Sequence, residues 1–423
     1  MTELPDGWEI KRLDEIADIV MGQSPPGSSY NEHGEGQPFF QGKTEFGEVH
    51  PTVRKYTTAG TKFAKAGDIL MSVRAPVGPT NIADIDCVIG RGLAAIRAKT
   101  VVSQNYLRWS LKHLEIDIQS KGTGTTFDAI TGETLRGTLV ALPHIDEQHK
   151  IVELLEDHLS RLGAALADVQ QAKVKAAQFR RSLLEEACTG RVKVDGTLVV
   201  TELPSGWELM RLGNCLEKLD SGKLAERGWS PQCLSHPVQN DDTWGVLKTT
   251  AVQMGDYQPE YNKELPTSLA PKIGLEVNPG DFLVTTTGPR NRCGIICHVK
   301  RTPRKLIFSG KILRFRANED IVLANWLMFV LMSPEYQKTF DRLKVGTSDS
   351  SVSIGNQQII DLEIPVPPIA AQRKVIEMLE DHLSRLDVML AMADAMEKQS
   401  SALRRSVLQA AFTGQLTKEV VSV

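Results

Sequence analysis

Leu155-Glu156-Asp157-His158-Leu159-Ser160-Arg161-Leu162 recurs letter for letter as Leu379-Glu380-Asp381-His382-Leu383-Ser384-Arg385-Leu386. The identity lies in a gapless stretch in which residues 142–192 match 366–416 at 22 of 51 positions, an offset of 224. A second repeat opens each half at an offset of 199: Thr2-Glu3-Leu4-Pro5-Asp6-Gly7-Trp8-Glu9 against Thr201-Glu202-Leu203-Pro204-Ser205-Gly206-Trp207-Glu208. The offsets differ by 25, so the second half carries that much extra sequence between its matched ends. Matched ends around divergent middles point to duplication of a whole unit, one scaffold presenting two different readers.

Around the octapeptides, apolar residues fall at alternating steps of three and four. They are Val152, Leu155, Leu159, Leu162, Leu166, Val169, Ala176, Leu183 and Ala187 in one copy. The other copy has Ile376, Leu379, Leu383, Leu386, Leu390, Ala393, Val407 and Ala411. This heptad seam is the pattern of helices packing on helices. Lys173 and Arg180 interrupt the first seam, Glu397 and Arg404 the second. Polar seam residues weaken packing and fix register. Proline and glutamine precede each helix (Pro143 to Gln148, Pro367 to Gln372), and Thr189-Gly190 or Thr413-Gly414 ends it. Helices of about 40 residues would run roughly 60 Å. Antiparallel pairing within the chain is expected, with a homodimeric coiled coil as the alternative. The segments are a first globule over residues 1–145, a helix over 146–190, a second globule over 191–367 and a helix over 368–416. The globules carry short β-rich runs such as 67–74, 280–287 and 313–316, and helical stretches at 103–114 and 323–343.

At 41% hydrophobic residues the chain can build packed cores. No apolar run approaches ~18–20 residues and no basic-then-apolar segment opens the chain, so a cytoplasmic protein without a membrane partner is expected. Six scattered cysteines fit reduced thiols. The net charge of −3 argues mildly against nucleic acid, yet residues 282–318 hold no acid and nine basic residues, from Arg290 to Arg316. The expectation is that charge is segregated by region.

Several chemical motifs fail. Gln41-Gly42-Lys43-Thr44 lacks the earlier glycine of a phosphate loop, position 37 being Gln. Ser24-Pro25-Pro26-Gly27 lacks the aromatic residue that base-directed amino-methyltransferases stack on a flipped base, and reads as a proline turn. Cys293, Cys297 and His298 have no second ligand pair at zinc spacing. His158 and His382 sit beside the seam and read as helix-pair residues. No nucleophile–base–orienter set is visible, so the chain reads as a non-catalytic reader.

What remains is suited to DNA. A Lys/Gly/Thr/Ser-rich loop ends each globule, at 121–128 and 344–351. Arginines follow a strand, Arg74 in the first globule and Arg290 with Arg292 in the second. Arginine offers a bidentate fork for guanine or phosphate, and small hydroxyl residues with free N–H groups suit phosphates. The candidate DNA contacts are Lys43, Arg74, Lys121, Thr123 and Thr125 in the first half. In the second half they are Lys248, Thr287, Arg290, Arg292, Lys311, Lys344 and Thr347.

In this order the pieces resemble the specificity subunit of type I restriction–modification systems. The resemblance is carried by Leu4–Trp8 and Leu203–Trp207, by Pro143–Gln148 and Pro367–Gln372, by the duplicated octapeptides, and by the loops at 121 and 344. The opening at 22–27 with 38–42 also fits. The resemblance implies an α+β, pseudo-two-fold duplicated chain, with two α/β target-recognition domains separated by an intramolecular antiparallel coiled coil. Each domain would read half of a bipartite double-stranded DNA site, and the helices would set the unread spacer. Two methyltransferase subunits would dock and hold S-adenosylmethionine, leaving no cofactor in this chain, and restriction subunits would join the larger complex. The alternatives are a stand-alone adenine methyltransferase with degenerate motifs and a coiled-coil scaffold without a DNA role.

Overall fold

The computed structural model describes residues 4–122, 129–189, 193–194, 197–198 and 203–418. It divides into two compact units, one running to Gln170 and resuming at Asp394, the other Gln171–Ala393. Each unit takes one globular segment together with parts of both long helices.

In the first unit, four strands form an antiparallel sheet in the order Ala17–Met21, Leu93–Ala98, Ile69–Ser72, Thr80–Ile82. A second sheet pairs Gln37–Phe40 parallel to Cys87–Ile89 and antiparallel to Lys55–Thr57. The second unit repeats both arrangements. Its sheet runs Ala225–Arg227, Leu313-containing strand Ile312–Arg316, Asp281–Thr285, Ile296–His298, and Gly245–Leu247 lies parallel to Leu306–Phe308 and antiparallel to Asn262–Glu264. The strand interiors are apolar (Ile69–Met71, Phe282–Val284) and fully buried, because both faces of the sheet are covered. The α+β class expected from the sequence is the one observed.

A short antiparallel pair closes each globule, Glu9–Arg12 on Leu139–Leu142 and Glu208–Arg211 on Glu363–Val366. The duplicated Leu-Pro-x-Gly-Trp opening makes the turn before it. Trp8 N–H donates to Pro5 O (3.2 Å) and Trp207 N–H to Pro204 O (3.0 Å). Gly7 and Gly206 both stand at φ +84°, a conformation that side chains resist.

The long helices are Ile145–Thr189 and Ile369–Phe412. In the first unit Val152, Leu155 and Leu159 pack with Val407, Leu408, Ala411 and Phe412. In the second, Leu183, Leu184, Ala187 and Cys188 share a core with Ile376, Leu379 and Leu383. Early residues of one helix therefore meet late residues of the other, which is antiparallel pairing within the chain. Interrupted seam positions find partners across the pair. Arg180 bridges Asp387 (3.0 Å) in the second unit, and Gln170 hydrogen-bonds Glu397 in the first.

The buried glutamine of each Pro-x-Ile-x-x-Gln motif explains its place in the duplication. Ser103 N–H donates to Gln148 Oε1 (2.8 Å), while Gln148 Nε2 donates to Val101 O (3.2 Å) and Pro143 O (2.9 Å). Gln372 does the same with Leu323 N–H (2.8 Å), Ile321 O (3.0 Å) and Pro367 O (2.8 Å). Each glutamine ties the start of its long helix to the start of a globule helix, Gln104–His113 or Ala324–Met332.

Candidate nucleic-acid interface

Three backbone segments cross at the end of the first unit's sheets. Gly22 N–H donates to Leu93 O (2.9 Å), Gln23 N–H to Ile89 O (3.0 Å) and Gly90 N–H to Phe40 O (2.8 Å). A Cβ on Gly22 would lie 2.2 Å from Gly90 O, so the crossing requires glycine there. From this node Lys43, Arg74 and Arg91 border one cleft of about 470 Å³, with Gln41, Ser72 and Pro76 among its other walls. All three cations are exposed, and among the described residues no hydrogen bond or ion pair holds their side chains. Unpaired cations bordering a cleft favour a polyanion, since no carboxylate among the described residues compensates them. Lys43 and Arg74, expected from the sequence, are thus brought together. Arg91, between Gly90 and Gly92, was missed.

The second unit builds the same node from different side chains. Gly228 N–H donates to Ile312 O (3.2 Å) and Trp229 N–H to Phe308 O (2.9 Å), matching Gly22 and Gln23. Gly310 N–H reaches Ser230 Oγ (2.9 Å) as Arg91 N–H reaches Ser24 Oγ (3.3 Å). Thr286 N–H donates to Lys311 O (2.8 Å) as Val73 N–H does to Gly92 O (2.9 Å). Ile354 N–H donates to Thr286 O (2.9 Å) as Ile130 N–H does to Val73 O (3.0 Å). Leu247 opposes Phe308 as Phe40 opposes Ile89. These bonds match Arg74 to Thr287, Arg91 to Gly310, Gly92 to Lys311 and Gln41 to Lys248. Lys248 and Lys311 are exposed; Lys248 lies over the Tyr261 ring at 5.7 Å. Three of the second-half candidates, Lys248, Thr287 and Lys311, are therefore node residues.

The remaining candidates have other surroundings. Arg292 donates to Gln253 Oε1, Thr249 O and Val252 O, each at 2.9 Å, and pins the turn beside the node. Arg290 bridges Asp349 (2.8 Å) and Asp341 (3.5 Å). Lys344, its side chain 10% exposed, donates to Arg290 O and Asp341, both at 2.9 Å. The neighbouring Lys344 and Arg290 cations hold Asp341 below the usual carboxylate range. Thr347 is exposed on a hairpin strand, Val345–Ser348. Lys121 bridges Asp117 (2.7 Å), and Thr123 and Thr125 lie outside the described residues.

The acid-free run 282–318 is a basic surface only in part: Lys300, Arg301, Arg304 and Lys311 are exposed, while other cations of the run are held by partners from outside it. Arg314 pairs with Glu226 and Asp281, Arg316 with Asp281 (2.5 Å) and Lys305 with Asp242 (3.5 Å). Folding brings acids from outside the run to its buried arginines, because a buried charge demands a partner. The first unit has the matching pair Arg97–Asp68 (2.7 Å). Cys293 and Cys297 pack in separate core clusters.

With the geometry in place, comparison with known proteins is direct. Residues 5–168 match the type I restriction modification DNA specificity domain. Over that stretch the chain is similar to type I restriction–modification specificity subunits. It is 37% identical over 211 residues to the EcoEI specificity subunit of Escherichia coli, covering 50% of this chain and 34% of that protein. Identity to the MjaX specificity subunit of Methanocaldococcus jannaschii is 37%, covering 45% of each chain. Both alignments span less than half of the relative's length. A third, to the Escherichia coli EcoBI specificity subunit, covers 99% of this chain and 88% of that one at 21% identity. The crystal structure of a specificity subunit from Thermoanaerobacter tengcongensis shares the fold over 98% of both chains, with a TM-score of 0.59 and 18% identity. Among the described residues no helix is long and apolar enough to cross a membrane.

Proposed function

We infer that this chain is the DNA-specificity subunit of a type I restriction–modification complex, and that each globule reads one half of a bipartite double-stranded site through its glycine-built node. The observation that carries this reading is the cleft bordered by Lys43, Arg74 and Arg91, unpaired among the described residues, with matching hydrogen bonds recurring around Lys248, Thr287 and Lys311. A reader of two half-sites needs one scaffold displaying two side-chain sets. Beside the nodes, Ala129 bridges Arg74 and Ser353 pairs with Thr287.

On this reading the chain is not an enzyme. Two methyltransferase subunits hold S-adenosylmethionine and modify the DNA, and restriction subunits join the larger assembly. The helix pair is the docking face for the methyltransferases. Val174, Phe179, Met389, Met392 and Met396 expose apolar surface along the helices, as a protein-binding face requires. The length of the pair sets the unread spacer.

The test is the methylome of host cells with and without this gene, expressed beside the methyltransferase partner. A bipartite methylated motif that disappears with the gene supports the reading. An unchanged methylome, with the partner active, refutes it.

A further inference from the structure

We propose that the matched positions Arg74/Thr287 and Arg91/Gly310 decide which bases the two halves take, and that the half-site read by the first globule contains guanine contacted by Arg74 and Arg91. This rests on the DNA reading above and gives it chemical content.

The two nodes keep a common backbone frame and change the side chains on it. Five hydrogen bonds recur at matched positions, so the Cα atoms they fix hold corresponding places in the two nodes. The phosphate backbone is chemically the same at every half-site. Side chains that only clamp phosphate need supply the same kind of charge, at whichever position of the node it sits. Base readers must differ wherever the half-sites differ. At these two positions the first node has two arginines and the second a threonine and a glycine. Cationic charge is not lost from the second node; it moves to Lys248 and Lys311, which match Gln41 and Gly92. The second node thus retains charge for a polyanion and gives up both guanidinium forks.

The forks themselves are available. Arg74 and Arg91 are exposed, border the same cleft, and have no acidic partner among the described residues. In contrast Arg290, Arg292, Arg314 and Arg316 are all held by carboxylates or carbonyls. A free guanidinium fork matches the O6 and N7 acceptors of guanine in the major groove, a pairing that no other base offers in that arrangement. Arg91 is set between two glycines where Ser24 Oγ accepts its N–H, so its backbone is fixed while its side chain stays free. A threonine at the Arg74 position takes either a donor or an acceptor and loses the guanine preference.

The test uses the complex of this chain with its methyltransferase subunits in cells, read by sequencing methylated DNA. The variants are Arg74→Ala, Arg91→Ala and, as the milder change, Arg91→Gln. Both arginines are exposed and unpaired among the described residues, so melting temperatures near that of the parent protein will show that the variants fold. The expected result is a motif in which one guanine of a single half-site becomes degenerate, with discrimination there falling roughly 5- to 150-fold and the other half-site unchanged. A uniform loss of modification at all sites, with the guanine still required, would mean phosphate clamping and overturn the proposal. So would an unchanged motif, or degeneracy in the half-site of the second globule. If the parent complex shows no bipartite motif at all, the DNA reading itself falls and this assignment with it.

Discussion

Replacing Arg292 and Lys311 by methionine, one at a time, separates a residue that builds the node from one that uses it. Both are basic, both lie in the acid-free run, and both are sequence candidates for DNA contact. Arg292 donates three hydrogen bonds of 2.9 Å, two to the carbonyls of Thr249 and Val252 and one to Gln253. Methionine keeps the aliphatic stem and removes all three donors. Charge-assisted bonds contribute roughly 1.5–3 kcal/mol each. Because the site is half-buried and water can reach part of it, the expected net loss is about 3 kcal/mol, well under the sum. For a unit of this size that lowers the melting temperature by about 6–12 °C. Lys311 is exposed and its side chain has no partner among the described residues, so Lys311→Met should stay within about 0.5 kcal/mol of the parent. Its effect belongs on DNA: log affinity against log salt should lose about one unit of slope, the signature of one phosphate contact. The assays are thermal melting and a salt series of DNA retention by the methyltransferase complex. An Arg292→Met protein that melts like the parent and loses the salt slope instead would refute the division of roles.

Three further perturbations follow from the same geometry. Gln372→Leu leaves Leu323 N–H, Ile321 O and Pro367 O without partners in a fully buried site, so about 3 kcal/mol should be lost. Hydrogen exchange should speed up at Leu323 and through Ala324–Met332, with Gln148→Leu acting on Ser103 and Gln104–His113 instead; equal acceleration at both places from either variant would contradict the matched latches. Burial, and secondarily Lys300, lowers the His298 pKa below 6.5, so the unfolded chain takes up the proton more readily. The neutral ring therefore favours folding fully above about pH 6.5 and progressively less below it. His298→Phe keeps the stack on Phe282 (4.7 Å) and removes two unpartnered ring nitrogens; its melting advantage should widen from about pH 7.5 to about pH 5, and a constant gap would count against the assignment. Inserting seven residues into both helices, beside the paired Gln170 and Glu397, keeps the heptad phase and adds about 10 Å. The preferred unread DNA spacer should lengthen by about three base pairs at ~3.4 Å each, and a spacer that stays fixed would remove the helices as its determinant.

Much of the fold was legible because its signals are local. The heptad seam, Gly7 and Gly206 in their turns, and the glutamine before each long helix depend on residues a few places apart, and duplication printed each of them twice. The antiparallel pairing followed from the same repeat. The candidate site was legible only in part. Lys43, Arg74, Lys248, Thr287 and Lys311 were singled out, but nothing in the sequence joined them, since the node gathers segments from four separate places in each half. Gly22-Gln23-Ser24-Pro25 returns as Gly228-Trp229-Ser230-Pro231, a short signal that was visible and overlooked because its offset of 206 fits neither outer repeat.

By itself the sequence determined a duplicated scaffold, its paired helices and the kind of partner its parts suit, because periodicity and repetition are properties of order along the chain. The tertiary structure alone decided which cations are free. Arg314 and Arg316 find Asp281, and Arg292 finds the turn at 249–253, while Arg74 and Arg91 find no partner among the described residues. It alone also aligned the divergent middles. The extra 25 residues enter as small insertions, so matched residues stand 199 apart at Trp8 and Trp207, 213 at Asp68 and Asp281, 219 at Arg97 and Arg316, and 224 at Gln148 and Gln372. A hydrogen bond between backbones records such a correspondence whatever the side chains, and charge pairing is settled by distance in space rather than along the chain.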